Sequence, residues 1–139
     1  MNVDTQACTV VRSGLSYTGR QGYDYDHGIS NATSNAKALC LHRAPLPPGA
    51  RAVAHLHEDH ESAIFVVRGR GEFWWGAELE HHELVEAGDY IHIPAGVPHV
   101  PYNPGPDVFE VVLARTDPNE QESVVTLPEL DALPHLPRR

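Results

Sequence analysis

Three histidines and three acidic residues stand close together in the stretch HLHEDHE, residues 55–61. His55 and His57 are two residues apart, so in a β-strand both imidazole rings point to the same side and can reach one metal ion. Imidazole nitrogens bind most divalent transition metals, and a strand holds them on a rigid platform. Taken alone, the pair is better explained as two half-exposed strand histidines, so the rest of the chain must decide whether this stretch binds metal.

A second stretch, residues 88–103, matches the second motif of the cupin superfamily, G-x5-P-x-G-x2-H-x3-N, at every position. The matching residues are Gly88, Pro94, Gly96, His99 and Asn103. The first cupin motif, G-x5-H-x-H-x3or4-E-x6-G, begins equally well with Gly49, His55 and His57. Between about residues 45 and 114 the chain therefore resembles a small single-domain cupin.

The resemblance implies a double-stranded β-helix, which is a jelly-roll barrel with a metal bound inside its mouth. It also implies that His55, His57 and His99 are metal ligands and that other positions on the ion stay open for water, dioxygen or a chelating substrate. The expected cofactor is one divalent transition metal, and Fe, Mn, Ni, Co, Cu and Zn all suit imidazole ligands. The ligand group contains no cysteine, which argues against a structural zinc site.

The glutamate of the first motif is where this sequence departs from the family. Counting back from Gly69 puts Ser62 at that position, whereas the shorter spacing after His57 gives Glu61. Strand parity puts His60 and Ser62 on one side and Glu61 on the other. We predict Glu61 as the fourth ligand, turned inward by a bulge or by the end of the loop, because an anionic ligand stabilises a divalent ion. A four-histidine site that uses His60 and a three-histidine site that uses neither residue are the alternatives.

The expected metal site indicates that the protein is a metal-dependent enzyme that acts on a small organic molecule. Our first choice is a dioxygenase with an Fe(II)-type site and a chelating substrate. A Lewis-acid isomerase or cyclase on the same metal, and a non-catalytic cupin that binds metal or ligand, are the alternatives. The resemblance also implies a homodimer.

Short strands must position these residues. No window of the chain has the apolar spacing of a helix, and twelve prolines with eleven glycines divide it into short pieces. The pieces predict an all-β sandwich or barrel with little helix. We divide the chain into an irregular N-terminal arm at 1–35, a cupin barrel at 36–127 and a C-terminal tail at 128–139. The polar, tyrosine-containing part of the arm at 14–35 is either irregular structure or a flap over the substrate.

Composition excludes several classes of partner. The formal net charge is −9 and no cluster of Lys and Arg is present, so we expect no binding to nucleic acid. No apolar stretch approaches the length of a membrane span, and the first residues lack the pattern of a signal peptide. Two cysteines, Cys8 and Cys40, are too few for a disulfide framework, so we expect a cytoplasmic protein whose partner is a small-molecule substrate.

Several other polar and aromatic residues receive less specific predictions. The histidines at positions 81, 82 and 92 are expected to lie away from the metal. The three aromatic residues of the FWW stretch are expected in the core. Arginines on the strands could each pair with an anionic substrate, but we predict that they are solvated. These residues are His81, His82, His92, Phe73, Trp74, Trp75, Arg51, Arg68 and Arg115.

Overall fold

In the computed structural model of the chain, residues 7–119, 121 and 123–139 are described. This part of the chain folds into two antiparallel β-sheets, and its helices are single turns. In chain order the elements are β1 (Ser16–Thr18), β2 (Asp24–Ile29), α1 (Asn31–Ser34), β3 (Cys40–Leu46), β4 (His55–His57), β5 (Ser62–Arg68), β6 (Arg70–Trp75), β7 (His81–Glu86), β8 (Tyr90–Ile93), β9 (His99–Tyr102), β10 (Phe109–Arg115), β11 (Val124–Thr126) and α2 (Pro128–Asp131).

The two sheets have the topology of a jelly roll. One sheet is six-stranded with the order β1-β2-β3-β10-β5-β8, and the other is five-stranded with the order β11-β4-β9-β6-β7. From β3 onwards the chain crosses repeatedly from one sheet to the other, and β6 and β7 form a hairpin within the five-stranded sheet. The predicted all-β, double-stranded β-helix fold with little helix is therefore confirmed.

The inner face of the six-stranded sheet changes from apolar to polar along the barrel. At one end, Leu46 of β3 pairs with Phe109 of β10, and both side chains are buried in an apolar cluster that also contains Val66. At the other end, Arg115 of β10 pairs with Ser62 of β5, and both of these polar residues are also buried. The apolar end supplies the hydrophobic core, so the polar end is free to serve a site.

The N-terminal arm is more regular than the sequence predicts. Residues 1–6 of the predicted arm lie outside the described residues, but β1 and β2 extend the six-stranded sheet. Tyr17 and Tyr25 stack across the pair at 5.2 Å, and a Cβ on Gly28 would collide with the carbonyl oxygen of Leu41. The backbone N–H of Val53 also donates to the carbonyl of Gln21 over 2.8 Å. Glycines and aspartates interrupt the alternation of these short strands, which hides them in the sequence.

The C-terminal tail packs on the outside of the five-stranded sheet. Leu136 is 7% exposed and belongs to the same cluster as Trp74 and Val100. Asp131 at the end of α2 forms an ion pair with the buried Arg51, at 2.8 Å between Oδ1 and NH1. The tail is thereby fixed to the segment that leads into β4.

Two further findings concern the cysteines and the membrane. Cys8 is exposed and Cys40 is buried, and neither cysteine forms a disulfide bond. In the described ranges, no helix has the length and apolar character needed to cross a membrane.

Candidate metal centre

The structure brings His55, His57 and His99 together inside the barrel. His55 and His57 lie on β4, and His99 lies directly opposite His55 on the neighbouring strand β9. The ring centroids of His55 and His99 are 4.2 Å apart, and those of His57 and His99 are 5.3 Å apart. One ligand nitrogen from each ring lies within 4.8 Å of the other two, and all three residues are buried. The three donors therefore surround a space of the size of one ion.

Backbone carbonyls set the orientation of two of these rings. Nδ1 of His55 lies 2.7 Å from the carbonyl oxygen of Val53, and Nδ1 of His99 lies 2.9 Å from that of Val97. A carbonyl oxygen can only accept a hydrogen bond, so each Nδ1 carries the proton and donates it. Each Nε2 is then left with a free lone pair, which is the tautomer that a metal-binding histidine needs.

Burial keeps the three imidazoles neutral. It lowers the pKa of His99 to about 4, and it holds the pKa of His55 and of His57 well below the usual range. The neighbouring charge of Arg115 adds to the effect of burial at all three rings. At neutral pH the site therefore offers unprotonated nitrogens, which are ready to bind a cation.

The donor set fits a divalent transition metal. Three neutral imidazoles suit Fe, Mn, Co, Ni, Cu or Zn, whereas Ca²⁺ and Mg²⁺ prefer oxygen ligands. The Nδ1 atom of His57 is buried and makes no hydrogen bond, and an orphaned polar atom of this kind is costly in a core.

Glu61, the residue predicted as the fourth ligand, lies apart from this group. Its side chain is 59% exposed, and its carboxylate accepts a hydrogen bond from Nε2 of His92 over 2.9 Å on the outside of the barrel. Ser62, one residue further along, is 3% exposed and faces inward. No bulge turns Glu61 inward at the start of β5, so strand parity decides the orientation. This placement does not support a ligand role for Glu61.

His60, the alternative to Glu61, lies beside the group. Its ring centroid is 4.6 Å from that of His57, and its side chain is completely buried. Its Nδ1 lies 2.9 Å from Oγ of Ser123 and 3.7 Å from the carboxylate of Asp117. The nearby carboxylate favours a proton on Nδ1, and the opposite nitrogen, Nε2, is buried without a hydrogen-bond partner. His60 thus adds a fourth buried imidazole next to the group, although its nitrogens are not among the convergent ligand atoms of the described residues.

The inner wall opposite the histidines contains a residue that the sequence prediction misplaced. Arg115 was predicted to be solvated, but it is 5% exposed, whereas the Arg68 side chain is 63% exposed as expected. Arg51 is also buried, but it is held by Asp131. The alternation of side chains along β10 predicts that Arg115 faces inward, because Val111 and Leu113 precede it on the same buried face.

The other histidines lie outside the metal group, as the sequence predicts, but the prediction of a core position is wrong for Trp75, which is half-buried and stacks on His81 at 4.1 Å. The side chains of His81, His82 and His92 are 53%, 40% and 62% exposed, and among the described residues none of the three belongs to the group that could hold a metal ion. Phe73 and Trp74 are buried.

Asn103, the last residue of the second motif, has a structural role. Its Nδ2 donates to the carbonyls of Leu46 and Asp107, and its Oδ1 accepts from the N–H of Gly105. It therefore fixes the loop between β9 and β10 and lies among backbone groups.

Comparison with known proteins agrees with this architecture. A sequence profile described as the cupin domain matches residues 43–114. No curated protein sequence matches the chain significantly. The chain therefore belongs to the cupin domain family, and its histidine group could hold a metal ion.

Solved structures with the same fold have low sequence identity to this chain. The polyketide cyclase RemF from Streptomyces resistomycificus is 20% identical with a TM-score of 0.67, and the match covers 91% of this chain and 86% of the cyclase. Oxalate decarboxylase from Bacillus subtilis, which has Mn(II) centres, is 18% identical with a TM-score of 0.65, over 76% of this chain and 28% of the decarboxylase. A double-stranded β-helix protein from Klebsiella pneumoniae is 23% identical with a TM-score of 0.55, over 60% of this chain and 71% of that protein.

Proposed function

We propose that this protein is a metal-dependent enzyme that acts on a small chelating organic molecule, and that its reaction is a dioxygenation. The observation that carries the proposal is the group of three buried, neutral imidazoles, of which two have their Nε2 lone pairs freed by backbone hydrogen bonds. A purely structural core would not concentrate such groups, because burying them without partners is unfavourable.

The chain itself would hold and shield the reaction centre. His55, His57 and His99 would bind a divalent metal, which would supply Lewis-acid chemistry and, as Fe(II), redox chemistry towards dioxygen. His60 is better placed than Glu61 to approach the same ion, because its side chain is buried with its ring centroid 4.6 Å from that of His57, whereas the side chain of Glu61 is exposed. The burial of the histidine side chains would keep bulk water away from the substrate.

Metal analysis of two histidine variants tests the metal site. The wild-type protein and His92→Ala, which removes an exposed histidine, are expected to bind about one ion per chain when they are loaded with Fe(II) or Co(II). His55→Ala is expected to lose the ion. Metal retained in His55→Ala at the wild-type level contradicts the site.

Oxygen uptake tests the reaction. The Fe(II)-loaded protein is mixed in turn with catechols, β-diketones and hydroxy acids in an oxygen electrode. The masses of the products are then determined by mass spectrometry. A dioxygenase consumes dioxygen and adds its two oxygen atoms to the products, and this uptake must disappear in His55→Ala. Uptake that survives in His55→Ala would disprove the assignment.

Lewis-acid cyclisation is a second candidate, which the similarity to RemF over most of both chains supports. This reaction needs no dioxygen, so it would proceed anaerobically with Zn(II) in the site. Enolisable poly-β-ketones are the test substrates, and the product keeps the mass of the substrate or loses water. The mass change thus separates the two reactions.

We also propose a homodimer through the outer face of the six-stranded sheet. Phe65 and Val67 of β5, Leu41 of β3 and Tyr90 of β8 are exposed there, and Phe65 packs on Tyr90 at 4.9 Å. Exposed apolar side chains in one patch are typical of an interface. Light scattering is expected to give a dimer for the wild type and a monomer for Phe65→Glu, and a monomeric wild type contradicts the proposal.

A further inference from the structure

Ala52, Val53 and Ala54 form a short segment directly before His55, and each backbone polar group of this 52–54 segment is hydrogen-bonded. Its three N–H groups donate, in order, to the carbonyl of Pro101 at 3.1 Å, the carbonyl of Gln21 at 2.8 Å and Oδ1 of Asp131 at 2.8 Å. Its three carbonyl groups accept, in order, from NH1 of Arg51 at 3.1 Å, Nδ1 of His55 at 2.7 Å and the N–H of Leu127 at 2.8 Å. The segment lies outside the strands, so these partners fix its conformation.

Arg51 and Asp131 hold this segment at its two ends. Oδ1 of Asp131 accepts the N–H of Ala54 and also pairs with NH1 of Arg51, each at 2.8 Å. The same NH1 donates to the carbonyl of Ala52, and NH2 of Arg51 donates to the backbone carbonyl of Asp131 at 3.2 Å. We call this set of bonds the Arg51–Asp131 clamp.

The clamp is buried, so its two charges depend on each other. The side chain of Arg51 is 4% exposed, and that of Asp131 is 14% exposed. A buried guanidinium that loses its carboxylate partner is strongly unfavourable, so water or a movement of the chain must replace the partner. Because NH1 of Arg51 is also bonded to Ala52, such a movement would displace the 52–54 segment.

The clamp and the histidine group lie on opposite faces of the same part of the chain. Ala54 packs in an apolar cluster with Trp74 and with Leu136 of the C-terminal tail, on the outside of the five-stranded sheet. His55, the next residue, lies inside the barrel with the two other histidines of the group. The tail therefore contacts the backbone that carries a proposed metal ligand.

Val53 connects the clamp with the ring of His55. Its carbonyl, in the middle of the segment, accepts the proton of His55 Nδ1 and so leaves Nε2 with the free lone pair. Partners that bind the second nitrogen of a metal-ligating histidine set the orientation of the ring and contribute to metal affinity. A shift of the segment moves this carbonyl and the backbone of His55 together.

We propose that Asp131 of the C-terminal tail is a positioning residue for the metal ligand His55. With Arg51 it fixes the 52–54 segment, and the central carbonyl of the segment orients the imidazole for metal binding. This inference rests on the proposed metal-dependent function. Coupling between two sites is reciprocal, so metal binding in turn strengthens the attachment of the tail.

Titration of the Co(II) absorption bands tests this role in two variants with opposite changes of charge. Asp131→Asn is expected to weaken Co(II) binding by roughly tenfold, and Arg51→Gln by roughly threefold or more, because either substitution breaks the ion pair of the clamp. A long-range effect of charge alone would weaken binding in Asp131→Asn and strengthen it in Arg51→Gln. Glu129→Gln, which removes the same charge from the exposed side of α2, is expected to leave the affinity unchanged.

A second control separates positioning from a general loss of stability. Gly69→Ala places a Cβ against the carbonyl oxygen of Val108, next to Phe109 at the apolar end of the barrel. It is expected to lower the melting temperature and to leave the Co(II) affinity unchanged. All titrations are made at a temperature at which circular dichroism shows each variant to be folded. A merely structural role would give Asp131→Asn the same behaviour as Gly69→Ala.

Hydrogen exchange measures the reciprocal effect on the tail. The amides of Leu127 and Asp131 donate to the carbonyls of Ala54 and Leu127. Co(II) is expected to slow the exchange of these two amides more than that of the amides of β7, the strand at the far edge of the same sheet. In Asp131→Asn this difference is expected to disappear. Equal slowing of both regions in the wild type contradicts the coupling.

The outcomes separate this inference from the metal proposal. A folded Asp131→Asn with wild-type affinity for Co(II), or a tighter affinity in Arg51→Gln, overturns the role of Asp131. If Asp131→Asn does not fold, Arg51→Gln decides. If the wild type takes up no Co(II), the metal-dependent function fails, and NMR of the metal-free protein decides the positioning role. The Nδ1 proton of His55 must then exchange with water faster in the folded clamp variants than in the wild type, and equal exchange overturns the inference.

Discussion

The backbone N–H of Gly96 donates to the carbonyl oxygen of His57 over 2.7 Å. This bond joins the loop that precedes His99 to the strand that carries the other two histidines of the group. The two cupin motifs are therefore connected through the backbone as well as through the rings. The positions of the rings depend on this loop, so a substitution of Gly96 tests what the loop contributes.

Gly96→Ala and Gly69→Ala form a matched pair of substitutions for stability. Both glycines have φ of +79°, so a side chain at either position costs about 1–2 kcal/mol in backbone strain. A Cβ at Gly96 meets open space, whereas a Cβ at Gly69 collides with the carbonyl oxygen of Val108. We expect Gly69→Ala to lose much more stability than Gly96→Ala in urea unfolding. Equal losses would show that the space around Gly69 does not matter.

His60→Ala and Glu61→Ala test the fourth ligand. His60 is buried beside His57 with its Nε2 free, whereas Glu61 is exposed and paired with His92. We expect His60→Ala to lower the affinity for Co(II) by at least roughly tenfold, and Glu61→Ala to leave it unchanged. Titration of the Co(II) absorption bands measures both affinities. Unchanged affinity in both variants would leave a three-histidine site, and a loss in Glu61→Ala alone would restore the prediction from sequence.

The stability of the metal-free protein should depend on pH through His99. Its pKa is about 4 in the folded protein, against an ordinary value of 6.5. Between these values the unfolded chain binds the proton and the folded chain does not, so the free energy of unfolding falls as the pH is lowered from 6.5 to about 4. For His99 alone the loss is about 3 kcal/mol. Urea unfolding with a chelator present measures this slope. A slope that is just as steep in His99→Gln contradicts the prediction.

Asp131→Asn should destabilise the protein through the C-terminal tail. The carboxylate pairs with the buried guanidinium of Arg51 and accepts the N–H of Ala54, each over 2.8 Å. Removal of one partner from a largely buried ion pair costs about 3 kcal/mol, because the remaining charge is unpaired. Glu129→Gln, on the exposed side of the same helical turn, is the control and should change stability little. Thermal unfolding of the two variants makes the comparison, and similar melting temperatures would contradict it.

The histidine group could be predicted from the sequence because it depends on residues that are close together in the chain. His55 and His57 share one face of a strand by parity, and the motif around His99 is complete. Glu61 lies on the outside, and not on the expected inner face, because side chains alternate along the strand and no bulge at the start of β5 changes the alternation. In the structure, His60 and Ser62 face inward and Glu61 faces outward, as parity alone predicts.

The surroundings of Arg115 could be predicted only in part. The parity of β10 indicates that its side chain faces inward, but its neighbours on that face, Cys40 and Ser62, follow from the registers of β10 with β3 and β5, which depend on contacts between distant parts of the chain. The N-terminal strands were missed for a related reason, because β1 and β2 are short and polar and are stabilised by the sheet that they join. Tertiary context decides the structure at such positions.

The inner face of the barrel changes from apolar to polar, and as a consequence ligand binding at the polar end should raise the melting temperature of the protein. The polar end contributes little to the core, and a compound that satisfies its buried groups stabilises the folded state by mass action. At a ligand concentration of about 100 times Kd this linkage is worth about 2.7 kcal/mol, and the melting temperature rises by several degrees. A thermal screen of metals followed by small organic molecules therefore reports binding at the site, also for compounds whose turnover has no assay.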